Sequence, residues 1–216
     1  MCFGPVASFT SGAILTTAGT ATLSVTRSKK EILFAAFPLV FGLQQITEGL
    51  VWLGVNNGPL LNFRMPMAAL FLFFAYIVWP IISPLAIYLL ETQKKNKRIL
   101  SIFILTGIVT AAYLAWFILH YHFHVTIVRH SIQYHTAKFG PLIAVFYLGS
   151  TYAAYLFSSY KGVRILGVLN IIFAVIARIM YQKSFDSVWC FFAALLSAGI
   201  FLFLLSLHRA SKTSAV

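Results

Sequence analysis

Glu48 is the residue whose chemistry fits its surroundings least. It stands in Gln44-Gln45-Ile46-Thr47-Glu48-Gly49-Leu50-Val51-Trp52 as the only acid well inside an apolar run. An ionisable group within a membrane span is a functional hypothesis by default. Gln44 lies four residues back, hence on the same helical face. A carboxyl in this place either handles a proton or a polar ligand, or is protonated or ion-paired and locks two helices together. Arg178, in Ala177-Arg178-Ile179-Met180-Tyr181, is its natural partner. Asp186 follows shortly after and either joins a Glu48, Arg178 and Asp186 network or caps the helix that it opens.

Five of the six histidines fall within 120–135: His120, His122, His124, His130 and His135. The first three finish the fourth apolar run, where His120 and His124 share a helical face at a spacing workable for a divalent metal. No His-Glu-x-x-His pattern accompanies them, and interfacial histidines also occur without a ligand. Tyr147, Thr151, Tyr155 and Ser159 recur every fourth residue. Such a hydroxyl stripe lines a wet cavity or hydrogen-bonds to neighbouring helices. Trp79-Pro80 and Ser83-Pro84 each remove a backbone donor and predict a kink in the third run.

These side chains sit in a chain that is 60% hydrophobic and 9% charged over 216 residues, with a mean hydropathy of +0.89. A soluble domain carries about 25% charged residues, so the composition excludes an ordinary water-soluble fold. A bilayer crossing takes about 20 mostly apolar residues. Seven runs qualify, at approximately 5–25, 31–55, 65–91, 99–122, 139–160, 163–181 and 186–207, with 123–138 as the one sizeable loop. The expectation is an all-α, polytopic transmembrane bundle of seven helices forming a single domain over 1–216. The first run is the least apolar, and losing it would leave six. Its Ser8, Gly12, Thr16 and Thr20 form a small-residue stripe suited to close packing. Neither an internal repeat nor a low-complexity tract is visible.

The net charge of +12 would suggest nucleic acid for a soluble protein. Here the basic residues occupy short gaps between apolar runs, where they set orientation and meet lipid headgroups, so nucleic acid is rejected as a partner. Arg27, Lys29, Lys30, Lys94, Lys95, Lys97, Arg98, Lys161, Arg164, Arg209 and Lys212 fall on one side, eleven in all; Arg64, Arg129, Lys138, Arg178 and Lys183, five, fall on the other. The expected amino terminus is therefore outside and the carboxyl terminus cytoplasmic. Nothing basic precedes the opening run, which argues against a cleavable signal peptide. Cys2 and Cys190 alone make neither a disulfide framework nor a thiolate cluster.

Three stretches carry a resemblance: Met1-Cys2-Phe3 with Ala7-Ser8-Phe9, Gln44-Gln45 with Glu48-Gly49 and Trp52, and Ser187-Val188-Trp189-Cys190-Phe191-Phe192-Ala193-Ala194. Together they resemble an uncharacterised family of bacterial multi-pass membrane proteins, a domain of unknown function. Gly4 departs from the family's Met-Cys-Phe-Ser opening. The resemblance implies a bacterial inner membrane and supplies no catalytic residues. A retinal protein would need a lysine midway along the last helix, and 186–207 contains none. Zinc-dependent ceramidase-like hydrolases need His-x-x-x-His near that helix, where His208 stands alone beyond the run.

Three functions stay open. The first is binding or transport of a small solute, a proton or a metal through an outward-facing site of Gln44, Glu48, Arg178 and Asp186. The second is a metal-dependent membrane enzyme with Glu48 as acid or base and His120 and His124 holding the metal, His130 and His135 being the further candidate ligands. The third is an accessory subunit whose polar residues stitch helices together.

Overall fold

The computed structural model describes residues 4–54, 61–128, 131–136, 139–180 and 185–213, with side chains described for all of these except 131, 180, 185–191, 193–194 and 210–213. Among the described residues the fold is seven helices and one two-stranded hairpin. In chain order they are α1 (Pro5–Ser24), α2 (Ile32–Gly54), α3 (Leu61–Leu90), α4 (Lys94–His120), β1 (His124–Val128), β2 (Ser131–His135), α5 (Pro141–Thr151), α6 (Lys161–Met180) and α7 (Phe185–Thr213). α1, α2 and α6 begin and end within two residues of an apolar run. Ile32–Gly54, Leu61–Leu90, Lys94–His120 and Lys161–Ile179 are long and apolar enough to cross a membrane. Their outer faces fit that solvent, since Ile102, Leu105, Ile108 and Leu119 of α4 and Ile165, Val168, Ile172 and Val175 of α6 are exposed. Exposed apolar faces of this kind suit contact with a lipid bilayer.

α1 packs along α2 and also touches α7; α3 lies on α4, α4 on α5, and α6 on α7. The small-residue stripe of α1 starts as expected and then drifts. Ser8, Gly12, Leu15, Gly19 and Thr22 are buried, whereas Thr20 is exposed. A spacing of four overshoots a 3.6-residue turn by about 40° per step, so three steps carry Thr20 off the packed face. The core gathers around Trp79, which stacks on Phe41 with centroids 3.8 Å apart and meets Phe37 edge-on at 5.6 Å. Phe34 bridges from Phe37 to Phe203 of α7.

Three expectations require correction. α4 ends at His120, and Tyr121 is already extended at φ −107°, ψ 129°. The segment expected to be a loop is instead an antiparallel hairpin pairing His124 with His135 and Ile127 with Ile132. Aromatic and β-branched residues from Tyr121 to Val128 favour strand over helix. Val125 and Ile132 are buried against Val51 of α2 and Ala68 of α3, which seats the hairpin on the ends of those helices. Finally, 139–160 is not one regular helix. α5 stops at Thr151, Tyr152 breaks the helical geometry at φ −121°, ψ −50°, and a 3-10 turn continues over Ala153–Phe157.

Candidate functional site

The site is organised by a defect in α3. Trp79 N–H donates to the carbonyl of Phe74, five residues back, within the π turn Phe74–Val78. The following residue is Pro80, which has no N–H to give. The Ala75 carbonyl is thereby deprived of its helical donor, and the Tyr147 hydroxyl of α5 donates to it at 2.7 Å. Single π turns of this type accommodate a proline at the cost of freeing a carbonyl, and recur at functional sites. Pro84 likewise withholds a donor from the Pro80 carbonyl four residues earlier. α4 approaches that carbonyl at Gly107, where any Cβ would clash with it.

Beside the kink lies a cavity of about 60 Å³, framed by Phe37, Phe41 and Gln44 of α2, Ala75, Trp79 and Ser83 of α3, Tyr147 and Thr151 of α5, and Asn170 of α6. Each ordered water needs at least about 10–15 Å³ measured this way, so several water-sized molecules fit. Asn170 lies about 14 Å of helix rise from the start of α6, which places the cavity near the middle of the bundle. Its polar groups are partly committed. The Trp79 indole donates to Gln44 Oε1 at 2.7 Å, and Tyr155 hydrogen-bonds Ser83. Asn170 Oδ1 is buried without a hydrogen-bond partner. A buried acceptor left unmatched costs about 1–3 kcal/mol, and each such group calls for a partner. No Lys, Arg, His, Asp or Glu is among the described residues that line the cavity.

A family model matches residues 1–215, nearly the full length of the chain, and its description is a family of unknown function (DUF6629). The chain belongs to that family. Membership in DUF6629 agrees with the resemblance carried by the three sequence stretches, and it assigns no role to any residue. No curated protein and no solved structure matches the chain.

Gln44 and Glu48 share a face of α2 but enter different networks. Gln44 turns to Trp79 and the cavity. Glu48 is fully buried and receives Gln45 Nε2 at 3.1 Å. Gln45 Oε1 in turn lies 3.0 Å from the Ser11 hydroxyl of α1, so the carboxyl is tied through Gln45 to the α1 interface. Arg178 lies on the last turn of α6 and is exposed. The hydrogen bond described for Glu48 comes from Gln45. Asp186 belongs to the first turn of α7, but its side chain lies outside the described residues, as do Cys2, Cys190 and the whole of His130.

The histidines are separated. His120 ends α4, with Nδ1 2.8 Å from the Trp116 carbonyl and its ring against the Trp116 indole. His124 and His135 face each other across the hairpin, with rings parallel and 4.5 Å apart, and His135 Nε2 lies 2.7 Å from the Thr126 hydroxyl. His120 and His124 therefore do not share a helical face, because the helix has ended before His124. Among the described residues no three His, Cys, Asp or Glu side chains are grouped to hold a metal.

Two buried acids at the opposite end of the bundle escape sequence reasoning. Glu91, just past α3, accepts the backbone N–H groups of Thr92, Gln93 and Ser159 and the Ser159 hydroxyl, at 2.6–2.8 Å. Burial pushes its carboxyl up. The Ser159 hydroxyl and the three backbone donors outweigh that effect and hold Glu91 below the ordinary carboxylate value. Glu31 accepts the Arg27 backbone N–H at 2.9 Å and pairs with His208 Nε2 at 3.0 Å, both side chains being about nine-tenths buried. Asn170 escapes as well, although it has a signal: between Arg164 and Arg178 it is the only side chain capable of hydrogen bonding.

Proposed function

We propose that this is a multi-pass protein of the bacterial inner membrane, crossing seven times with its amino terminus outside, which binds a small uncharged polar solute in the mid-bundle cavity and passes it across. The observation that carries this reading is a cavity lined by Gln44, Tyr147, Thr151 and Asn170, the last with a buried Oδ1 that has no hydrogen-bond partner. A solute bearing an N–H or O–H group would satisfy that oxygen once the Asn170 carboxamide turns towards the cavity. The lack of ionised lining groups among the described residues favours a neutral solute over a metal ion or an anion. Glu48, one turn outward from Gln44 in the proposed orientation, would lie on the outer approach. The proline and π-turn break in α3 supports the same reading, because irregular helices in membrane proteins are tolerated where they line a cavity.

Uptake of urea and glycerol by proteoliposomes, followed by light scattering after osmotic challenge, tests this proposal. The native chain should swell the vesicles faster than protein-free lipid does. Asn170→Leu, which fills the cavity and removes the acceptor, should return the rate to that of lipid alone. Equal rates for native, variant and empty vesicles would overturn the assignment.

A further inference from the structure

Most polar groups around the mid-bundle cavity have their hydrogen-bonding roles fixed before any solute arrives. An indole N–H is a donor only, so the end of the Gln44 side chain that meets Trp79 Nε1 at 2.7 Å has to be its carbonyl oxygen. The indole is itself held in place, stacked on Phe41 and met edge-on by Phe37. Gln44 is buried and lines the cavity. With its oxygen engaged, what it can still bring to an occupant is the Nε2 amino group, which donates and does not accept. Thr151 is committed the opposite way. Its hydroxyl proton goes to the Tyr147 carbonyl within α5, so to an occupant it can act only as an acceptor. Ser83 and Tyr155 bond to each other. Asn170, whose Oδ1 has no hydrogen-bond partner, offers an acceptor and a donor side by side along one edge once it turns towards the cavity. The apolar part of the lining includes Phe37, Phe41 and Trp79, whose ring faces suit a flat occupant.

We propose that the solute is a small planar amide, of the urea or primary carboxamide class, and that Trp79 sets this preference by holding Gln44 with its amino group as the available end. The proposal rests on the cavity taking a neutral solute and adds which class it takes. An amide has a carbonyl to accept from Gln44 Nε2 and N–H groups to donate to Thr151 Oγ1. Its edge also pairs with the Asn170 carboxamide through parallel bonds, N–H to Oδ1 and Nδ2–H to the solute carbonyl. A polyol can serve any one of these groups, because a hydroxyl both donates and accepts. Its tetrahedral carbons, however, present neither that planar edge nor a flat face to the rings. Trp79 is thus a positioning residue: it reaches the solute's choice through Gln44.

Uptake of labelled urea and, separately, labelled glycerol by proteoliposomes of the full-length protein is measured above the rate of protein-free lipid, and the urea uptake is then competed with unlabelled acetamide or unlabelled glycerol. Acetamide should halve urea uptake at a concentration roughly tenfold lower than glycerol does, the weight of about one net hydrogen bond. In Trp79→Phe the Gln44 carboxamide is released and can turn either end to the solute, so that ratio should fall to within a few-fold of unity while uptake persists. Gln44→Met, which keeps the length and removes the donor, should lower the ratio in the same way and decides the matter if Trp79→Phe does not fold; the native competition tests the solute class with no variant at all. Equal competition by acetamide and glycerol in the native chain, or uptake of glycerol without urea, would overturn the amide preference and leave the broader solute reading standing. Uptake of neither would overturn both. A native ratio that Trp79→Phe and Gln44→Met leave unchanged would overturn the roles of those residues.

Discussion

Removing the Tyr147 hydroxyl strands the Ala75 carbonyl. In Tyr147→Phe the ring and its packing stay, while the 2.7 Å bond to that carbonyl disappears. Ala75 is buried but borders the mid-bundle cavity, so a cavity water is the replacement donor available to it. A stranded buried acceptor costs about 1–3 kcal/mol in soluble proteins. Side-chain hydrogen bonds in membrane proteins average about 0.6 kcal/mol and reach about 1.7, because a freed group commonly finds a new partner. Neither neighbouring residue can supply one here: Trp79 N–H already serves Phe74, and Pro80 has no N–H. With only a cavity water to take the place of the hydroxyl, the loss should be about 1 kcal/mol. Pro80→Ala returns a backbone N–H and lets the π turn relax to an ordinary helix, in which Ala75 regains a main-chain donor. In that background Tyr147→Phe should cost less than about 0.5 kcal/mol, a coupling on the order of 1 kcal/mol. Reversible unfolding in mixed micelles, driven by a denaturing detergent and followed by helical circular dichroism, measures all four corners of the cycle. An equal cost of Tyr147→Phe in both backgrounds would refute the link between the proline, the π turn and the tyrosine.

Gly107→Ala should destabilise the fold by about 1–3 kcal/mol, the range for overpacking, since its Cβ would strike the Pro80 carbonyl; Gly149→Ala, which would meet only the Phe103 ring at 3.5 Å, should be near neutral in the same unfolding assay. Trp79→Phe should cost about 1–2 kcal/mol through loss of the indole bond to Gln44, and combining it with Gln44→Leu should cost less than the two single losses summed. Glu91 predicts a pH dependence with a definite sign. Its folded value is lowered, so its contribution is present above about pH 4.5 and is lost as the pH falls through the folded value. The native melting temperature should therefore drop more steeply below pH 4.5 than that of Glu91→Gln, and parallel curves would remove Glu91 as the cause.

Hydropathy locates the helices because each is bounded by a change of solvent, and the bounds of α1, α2 and α6 follow the apolar runs closely. It carries no information about which neighbouring side chains meet, so the bond that Gln45, one turn back, donates to Glu48 is not legible in it. The tyrosine stripe is legible as a stripe, and Tyr147, Thr151 and Tyr155 all reach the cavity. The break at Tyr152 is not, since nothing in Gly149-Ser150-Thr151-Tyr152 forbids a helix. The hairpin escapes for a different reason: a histidine spacing of four reads as helical, and the β-branched and aromatic content around it is the stronger signal. Glu31 and Glu91 stand beside lysines at the ends of apolar runs, where a sequence reads them as solvated charges. Only packing reveals that both are buried.

The glycine face of α1 bears on how the protein is made. α1 is absent from the helices long and apolar enough to cross a membrane, and it buries Gly12 and Gly19 against the backbone of α2, where Ile46 and Leu39 leave no room for a Cβ. A segment of that kind gains little from lipid and much from its neighbour. During synthesis it would therefore not anchor alone; it would wait at the interface until α2 emerged and then enter with it as a helical hairpin. A nascent chain released before residue 54 should be extractable from the membrane by alkali, and one that includes α2 should not.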